Sequence, residues 1–519
     1  MSRKKLPIGV QTFAKIREDD YYYVDKTGFA LRLIEEGSHY FLSRPRRFGK
    51  SLFLDTLAEL LSGNRELFAG LEAEHKWDWS RRHPVIRLSF GAGVAREPAA
   101  LEEKIWEQLR VNQKALGIRC SEPTAQGCFA ELIREAKVQA GAPAVVLVDE
   151  YDKPILDNLH DPEIARAMRD GLRDLYSVIK DSDAHLRFVF LTGVSKFSKF
   201  SKVSLFSGLN NLKDITVDAR YSALCGYTEN DLDQVFAPEL KDLDRDRVRA
   251  WYNGYNWTGD AVYNPFDVLL LFDSGLFRPW WFETATPSFL IDVLTTRQTF
   301  APKLDRLIAN DRLLSAFDVD YIATEALLFQ TGYLTIDSMR ERGATTEYRL
   351  RYPNLEVRAS LNGALLDALS ARSSAVAEHS SRLYDLLLAN DFSGLEQLFT
   401  AFFASIPHDW YRNNPISQYE GYYASVFYAY FASLGLDLTP EESSNAGRLD
   451  LAVKFNSQVY LIEFKVVEHS GEGAAMAQLK AKGYADKYRG RGQPVHLIGV
   501  EFSAEQRAVV GFAVETLAG

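Results

Sequence analysis

The chain has 519 residues, of which 46% are hydrophobic, 13% aromatic and 25% charged. This length exceeds what one hydrophobic core supports and suggests about three domains, while the composition excludes a disordered chain. A formal net charge of −10 excludes a surface that is basic throughout for nonspecific nucleic-acid binding. Any contact with nucleic acid therefore requires a local groove.

Targeting segments are not evident in the sequence. No apolar run is long enough to cross a bilayer, and the first residues, MSRKKLPIGV, lack the apolar stretch of a signal peptide. The cysteines Cys120, Cys128 and Cys225 are too few and too scattered for a disulfide framework or a thiolate zinc site. We expect a cytoplasmic protein with no membrane partner.

The first strand–loop–helix unit that the sequence predicts contains SRPRRFGKS (43–51). Strand-like HYFL precedes it and the helical pattern SLFLDTLAELL overlaps its end, and Gly49, Lys50 and Ser51 match the second half of a phosphate-binding loop. In that setting Lys50 would reach the terminal phosphates and Ser51 would offer its hydroxyl to Mg²⁺. Arg44 stands at the place of the first glycine. The alternative is a basic turn that contains GKS by chance.

The second informative element is APAVVLVDEYDKP (142–154). A continuous aliphatic run is typical of a central strand in a parallel sheet, and ligands bind beyond the carboxyl ends of such strands. We expect Asp149 to hold Mg²⁺ through water and Glu150 to polarise the attacking water. The alternative is an ordinary strand that ends in a solvated acidic turn.

Two further strand-like runs, PVIRLSF (84–90) and LRFVFLTGVS (186–195), alternate with helical segments. This βαβ pattern predicts a three-layer α/β domain over residues 1–215. Thr192 follows the apolar part of the second run, which makes it a candidate sensor of the γ-phosphate.

Several long segments, among them LPIGVQTF, FLSRPRRFGKSLFLDTL, LVDEYDKPI and LTGVSKFSK, resemble the AAA-ATPase-like family, whose members often carry a C-terminal nuclease-like domain of the PD-(D/E)XK type. In that family the loop itself is RPRRFGKS, so the missing first glycine is a shared feature. The resemblance implies a P-loop ATPase with ATP and Mg²⁺ as cofactors. The nucleotide-binding residues that we predict are Arg44, Arg46, Arg47, Gly49, Lys50, Ser51, Asp149 and Thr192. Which of the three arginines touches phosphate stays open.

The middle of the chain shows helical patterns with short strands over residues 216–345, where we expect a helical or winged-helix lid. Residues 346–400 are amphipathic and predict a helical connector. Neither segment contains residues to which we assign catalytic chemistry.

The last informative stretch is GRLDLAVKFNSQVYLIEFKVV (447–467). If the turn is Asn-Ser, Phe455 pairs with Gln458 and Asp450 lies opposite Glu463, with Lys465 on the same face. Two opposed carboxylates among apolar residues repel each other unless a cation lies between them, and Mg²⁺ prefers such oxygen ligands. The alternative is a surface hairpin with an ordinary Glu-x-Lys.

These strands are similar to the metal-site strands of the PD-(D/E)XK nuclease core, which implies an α/β restriction-endonuclease-like domain over residues 401–519. The resemblance implies that Asp450 and Glu463 bind metal and that Lys465 positions water or stabilises charge. It offers Glu420 or Glu442 as a further carboxylate and Gln478 as a neighbour of the site.

The sequence therefore predicts an ATPase that controls a Mg²⁺-dependent nuclease, with Glu150, Asp450, Glu463 and Lys465 as catalytic residues. We expect nucleic acid as the partner of the C-terminal domain, with DNA favoured over RNA, and a setting in defence against mobile elements by analogy. Homo-oligomer formation stays open. The alternative is an ATP-switched regulator or scaffold whose C-terminal domain binds nucleic acid or a partner without cleavage.

Overall fold

The computed structural model describes two compact units. Unit 1 comprises residues 1–285 and 307–354, and unit 2 comprises residues 286–306 and 355–519. The residues described are 3–196, 211–285, 290–291, 293–294, 297, 301–314, 322–369, 373–405, 420–444, 447–488, 492–506 and 508–517. The predicted lid (216–345) lies in unit 1 except for residues 286–306, and the predicted connector (346–400) lies in unit 2 except for residues 346–354. The four-segment division stays a prediction.

Unit 1 is built on a parallel sheet of five strands in the order β2-β3-β4-β1-β5. Its strands are β1 (His39–Ser43), β2 (Val85–Ser89), β3 (Ala144–Asp149), β4 (Leu186–Gly193) and β5 (Lys213–Asp214). Residues 144–148 are fully buried, as expected for a central strand covered on both faces. The predicted parallel α/β architecture is therefore confirmed.

Eight helices accompany this sheet in the described part of residues 3–196, and several of them pack on its strands. They are α1 (Phe13–Glu18), α2 (Thr27–Glu36), α3 (Lys50–Ser62), α4 (Glu72–Lys76), α5 (Pro98–Leu116), α6 (Ala125–Ala140), α7 (Lys153–Leu156) and α8 (Pro162–Asp181). Short 3₁₀ helices occur at Arg65–Phe68, Asp183–His185 and Ala219–Tyr221.

The rest of unit 1 combines short helices with a small antiparallel sheet of order β6-β8-β7. The helices are α9 (Glu229–Val235), α10 (Ala237–Leu240), α11 (Arg245–Tyr252), α12 (Pro265–Ser274), α13 (Trp280–Ala285), α14 (Asp311–Leu314) and α15 (Thr324–Thr331). The strands are β6 (Leu307–Asn310), β7 (Thr335–Arg342) and β8 (Thr345–Arg351). Helices and strands both occur here as predicted, and a winged-helix arrangement stays a prediction.

Unit 2 contains a second five-stranded sheet of order β13-β12-β11-β10-β9. Its strands are β9 (Asp437–Ser444), β10 (Gly447–Phe455), β11 (Gln458–Val466), β12 (Val495–Ser503) and β13 (Ala508–Leu517). Strands β11 and β12 are parallel, and the other neighbours are antiparallel. A separate C-terminal α/β domain is thus confirmed.

Some helices of unit 2 precede the sheet in the chain, and others lie in the chain between strands β11 and β12. They are α16 (Leu355–Leu369), α17 (Ser373–Ala389), α18 (Phe392–Ser405), α19 (Glu420–Ser433), α20 (Val467–Ser470) and α21 (Ala474–Ala481), with 3₁₀ helices at Ala301–Arg306 and Tyr484–Tyr488. Helix α21 packs on β11 and β12.

The β10–β11 hairpin has the register that the sequence predicts. Phe455 pairs with Gln458, and the two turn residues Asn456 and Ser457 have φ of 48° and 59°. Positive φ at both central positions is the signature of a two-residue turn that matches strand twist, and Asn tolerates it better than most residues. The turn therefore determines which residues of the two strands face each other.

Candidate nucleotide and metal sites

The loop between β1 and α3 lies at the carboxyl end of the parallel strand, where the sequence places it. Gly49 precedes the first turn of α3 with φ of 90°, a left-handed conformation that glycine adopts without strain. Nothing lies within 4 Å of the point where a Cβ of Gly49 would be. Arg47 also has a positive φ, 69°, and its guanidinium stacks on the ring of Phe266 at 4.5 Å. The loop thus turns its backbone sharply into the helix.

Lys50 is buried at the start of α3 and folds back onto its own loop. Its Nζ donates hydrogen bonds to the carbonyl oxygens of Arg44, at 2.9 Å, and Pro45, at 2.8 Å. Burial lowers the pKa of Lys50, and the nearby Asp149 carboxylate opposes that effect. The ammonium group is held by neutral acceptors, which a polyphosphate could replace as a stronger partner.

A cavity of about 570 Å³ adjoins this loop. Its wall includes six of the predicted site residues, Arg46, Arg47, Gly49, Lys50, Ser51 and Glu150. The wall also includes apolar and aromatic residues, among them Val10, Tyr22, Tyr23, Val24, Phe266 and Leu269. A pocket lined by both charged and aromatic side chains fits a ligand that carries both a ring system and charge.

Arg44 is buried at the start of the loop and contacts other parts of unit 1. It is fully buried and donates to the carbonyl oxygens of Ser43, Thr216 and Tyr221. Its guanidinium lies 3.9 Å from the centre of the Trp257 ring, and burial lowers its pKa to about 10. Arg44 is not among the residues that line the cavity, and its role as a phosphate contact stays a prediction. It joins the start of the loop to distant parts of unit 1.

The other predicted nucleotide residues lie at the ends of β3 and β4. Asp149 ends β3, and its Oδ1 accepts a hydrogen bond of 3.0 Å from the backbone N–H of Glu150. Glu150 has a positive φ of 48°. Its side chain approaches Gly91 so closely that a Cβ added at Gly91 would lie 3.2 Å from Glu150 Oε2. Thr192 is buried in β4, and its Oγ1 has no hydrogen-bond partner within the part of the chain that the structure describes. Neither Asp149 nor Thr192 belongs to the cavity wall.

Asp152 is a wall residue that the predicted site set does not include. Its side chain is 1% exposed and accepts hydrogen bonds from Val194 N, Ser195 N and Ser195 Oγ. Burial raises its pKa, and the hydrogen bonds from Ser195 oppose that rise. Its place in the acidic run DEYD is the signal that could have drawn attention to it.

The carboxylate site of unit 2 centres on Glu463, whose side chain is 1% exposed. Gln478 Nε2 donates a hydrogen bond to its Oε1, and Lys465 Nζ lies 3.5 Å from the same oxygen. Oε2 is buried and has no hydrogen-bond partner among the described residues. Burial, followed by the charge of Asp450, raises the pKa of Glu463 to about 8, while Lys465 opposes the rise.

Asp450 lies next to Glu463, as the register predicts. Leu451 pairs with Ile462, one position away, and Asp450 Oδ2 accepts a hydrogen bond of 2.9 Å from Phe464 N. Asp450 and Glu463 can therefore supply oxygen ligands to one cation.

Further residues around this site were not identified from the sequence. Burial raises the pKa of Tyr484, and the charge of the nearby Glu463 adds to that rise. Tyr484 also forms a hydrogen bond with Gln478. Glu501, in β12, pairs in register with Lys465 and accepts hydrogen bonds from Gly473 N and Ala475 N at the start of α21. An acid at the end of the run VHLIGVEF was the available signal for Glu501.

The two additional carboxylates that were predicted add nothing here, since the side chains of Glu420 and Glu442 lie outside the described residues. Among the residues whose positions are described, no group of three or more His, Cys, Asp or Glu forms a metal-binding cluster. In the same part of the chain, no helix combines the length and the apolar character that a bilayer span requires.

Comparison with known proteins places two family models on the chain. Residues 7–206 match a model described as "Predicted AAA-ATPase", and residues 418–512 match that of the PD-(D/E)XK nuclease superfamily. A protein of Azotobacter chroococcum mcd 1, described as "Uncharacterized protein in vnfD 5'region", is 68% identical over 518 residues, which is 100% of each chain.

Proposed function

The chain belongs to the AAA-ATPase-like family with a C-terminal PD-(D/E)XK nuclease-superfamily domain, and from this premise we propose that it binds and hydrolyses ATP to control a Mg²⁺-dependent nuclease. The nucleic acid is cut at phosphodiester bonds by the C-terminal domain, with DNA favoured over RNA. A role in defence against mobile elements is part of the proposal by analogy only.

The cavity beside the loop of residues 44–49 supports the ATP-binding half of the proposal. Lys50 is buried with its ammonium group on two carbonyl oxygens, from which it can turn to the terminal phosphates. Arg46 and Arg47 add positive charge to the same wall. Ser51 and Asp149 would hold Mg²⁺, and Glu150 would orient the attacking water.

The observation that carries the nuclease half is the unpartnered, buried Oε2 of Glu463. A buried carboxylate oxygen without a donor is costly, and a divalent cation shared with Asp450 would satisfy it. The carboxylate pair thus fits Mg²⁺, which when bound would lower the pKa of a water ligand and polarise the phosphate. Lys465 would hold the water or the developing charge, and Gln478 orients Glu463 through its hydrogen bond.

A panel of labelled DNAs and RNAs tests the proposal when each is incubated with the full chain and Mg²⁺, with and without ATP. Cleavage that Asp450→Asn abolishes and ATP modulates would support both halves. Asp437→Asn is the matched control, because Asp437 lies in the same sheet with a side chain that is 65% exposed. Absence of cleavage on every substrate, with either nucleotide condition, contradicts the nuclease half.

The alternative function is an ATP-switched regulator or scaffold that binds nucleic acid or a partner without cutting. The observation in its favour is that no group of three or more His, Cys, Asp or Glu side chains forms a metal-binding cluster within the described ranges. Nucleic-acid binding that survives in EDTA, together with ATP-dependent affinity and no cleavage, would favour it.

A further inference from the structure

The turn at the end of β4, residues 193–196, is held in place by Asp152, which lines the cavity. The Asp152 carboxylate accepts hydrogen bonds from Val194 N at 3.1 Å, Ser195 N at 2.6 Å and Ser195 Oγ at 2.5 Å. A Cβ at Gly193 would overlap Asp152 Oδ1 and the ring of Tyr151, so this close approach requires glycine. One wall residue of the cavity thus determines the position of the turn.

The Tyr151 side of the same connection adds rigidity. Tyr151 N donates to Thr192 O at 3.1 Å, and the Tyr151 hydroxyl donates to Ser195 O at 2.9 Å. Both the backbone and the side chain of this residue therefore bind the exit of β4. A displacement of Asp152 is carried to the turn with little loss, because buried, hydrogen-bonded groups do not deform continuously.

The far end of the turn contacts the helical region of unit 1. Lys196 N donates to Gln330 Oε1 at 2.8 Å, and Gln330, which is buried in α15, donates through Nε2 to Leu314 O at 2.7 Å. Lys196 Nζ also lies 2.5 Å from Asp214 Oδ2. Hydrogen bonds, together with the peptide link between Ser195 and Lys196, therefore join the cavity wall to α15 and to the end of α14.

We propose that Asp152 is a positioning residue that couples occupancy of the nucleotide cavity to α15 through Ser195, Lys196 and Gln330. The inference rests on the proposed ATP binding. A polyphosphate brings negative charge beside the buried Asp152 carboxylate and draws Lys50 away from its two carbonyl acceptors. Asp152 is repelled, and the three donors of the turn move with it. Helix α15 then changes its hydrogen bond to Lys196 without touching the nucleotide.

Hydrogen–deuterium exchange on the full chain tests this coupling, with a non-hydrolysable ATP analogue and Mg²⁺ as the probe. In the wild-type protein, saturating analogue should change exchange of the amides in Thr324–Thr331 by about fivefold or more. Asp152→Asn, measured at an analogue concentration that saturates it, should lose this change. Ser195→Ala should weaken it, and Ser195→Thr, which keeps the hydroxyl, should restore it. Asp174→Asn is the matched control, since Asp174 is 57% exposed on α8 and should leave the response intact.

The outcomes separate this inference from the function on which it rests. If the wild-type protein does not bind the analogue, the proposed ATP binding fails and the coupling fails with it. If the analogue binds and exchange in α15 does not change, or if Asp152→Asn keeps the full change, the coupling is wrong while ATP binding stands. Should Asp152→Asn fail to fold, Ser195→Ala and Ser195→Thr decide the question, because loss followed by rescue is not expected of a purely structural hydroxyl.

Discussion

Replacing Asp450 by Asn should make the metal-free protein more stable at alkaline pH and leave its stability unchanged at mildly acid pH. The reason is the negative charge that Asp450 places beside Glu463. Burial is the largest cause that raises the pKa of Glu463 from 4.5 to about 8, and the charge of Asp450 is the second. Asn keeps an oxygen that can accept the hydrogen bond from Phe464 N. The change therefore removes a negative charge and little else.

The magnitude follows from the pKa. At about 1.4 kcal/mol per pKa unit, the difference between 4.5 and about 8 corresponds to about 5 kcal/mol. Burial is the larger cause and Asp450 the second, so we assign Asp450 about 2 kcal/mol of this difference. In a unit of this size that difference shifts Tm by about 4–8 °C.

The sign of the pH dependence follows from linkage. Because the folded-state pKa of Glu463 is raised, the protonated carboxyl stabilises the fold fully below pH 4.5, and this contribution is lost as pH rises through about 8. The advantage of Asp450→Asn should therefore be near zero at about pH 6 and largest at about pH 9. Mg²⁺ should stabilise the wild type and not the variant, since the variant lacks one of the two ligands.

Calorimetric melts in EDTA and in Mg²⁺, each at both pH values, measure all of these effects, with Asp437→Asn as the control that should follow the wild type. One pattern refutes the reasoning. If Asp450→Asn lowers Tm strongly at both pH values and Mg²⁺ shifts neither protein, Asp450 is a structural hydrogen-bond acceptor and the site binds no metal.

Four further variants test individual residues. Lys50→Ala should reduce affinity for a fluorescent ATP analogue at least tenfold, because a charge-assisted contact of about 1.5–3 kcal/mol is removed; unchanged affinity would place the phosphates elsewhere. Glu150→Gln should keep ATP bound while turnover falls about 100-fold or more, and surviving turnover would point to another acid. Lys465→Ala should retain Mg²⁺ binding, lose cleavage and lower the metal-free Tm, since two carboxylates lose a neighbouring cation; an unchanged Tm would contradict that last step. Arg44→Met should lower Tm whether or not nucleotide is present, because three carbonyl oxygens lose their donor. Normal stability together with lost ATP affinity would instead identify Arg44 as a phosphate ligand.

The sequence by itself determined the local elements on which both sites stand. A short aliphatic run between polar residues is typical of a strand covered on both faces, which is how β3 lies. In the hairpin, a two-residue turn leaves one register that buries the apolar set, so the neighbourhood of Asp450 and Glu463 could be predicted from spacing. Such patterns report backbone conformation and the face that each residue occupies.

Only the tertiary structure decided which polar groups those elements meet. Arg44 is held by carbonyl oxygens of Thr216 and Tyr221 and by the Trp257 ring, more than 170 positions away in the chain, so its burial has no local signal. Asp152 lies only two positions after Glu150, but its carboxylate accepts hydrogen bonds from the turn at the end of β4. Strand β4 brings that turn alongside Asp152. A carboxylate takes the role of ligand, base or anchor according to the donors around it, and packing of distant segments determines those donors.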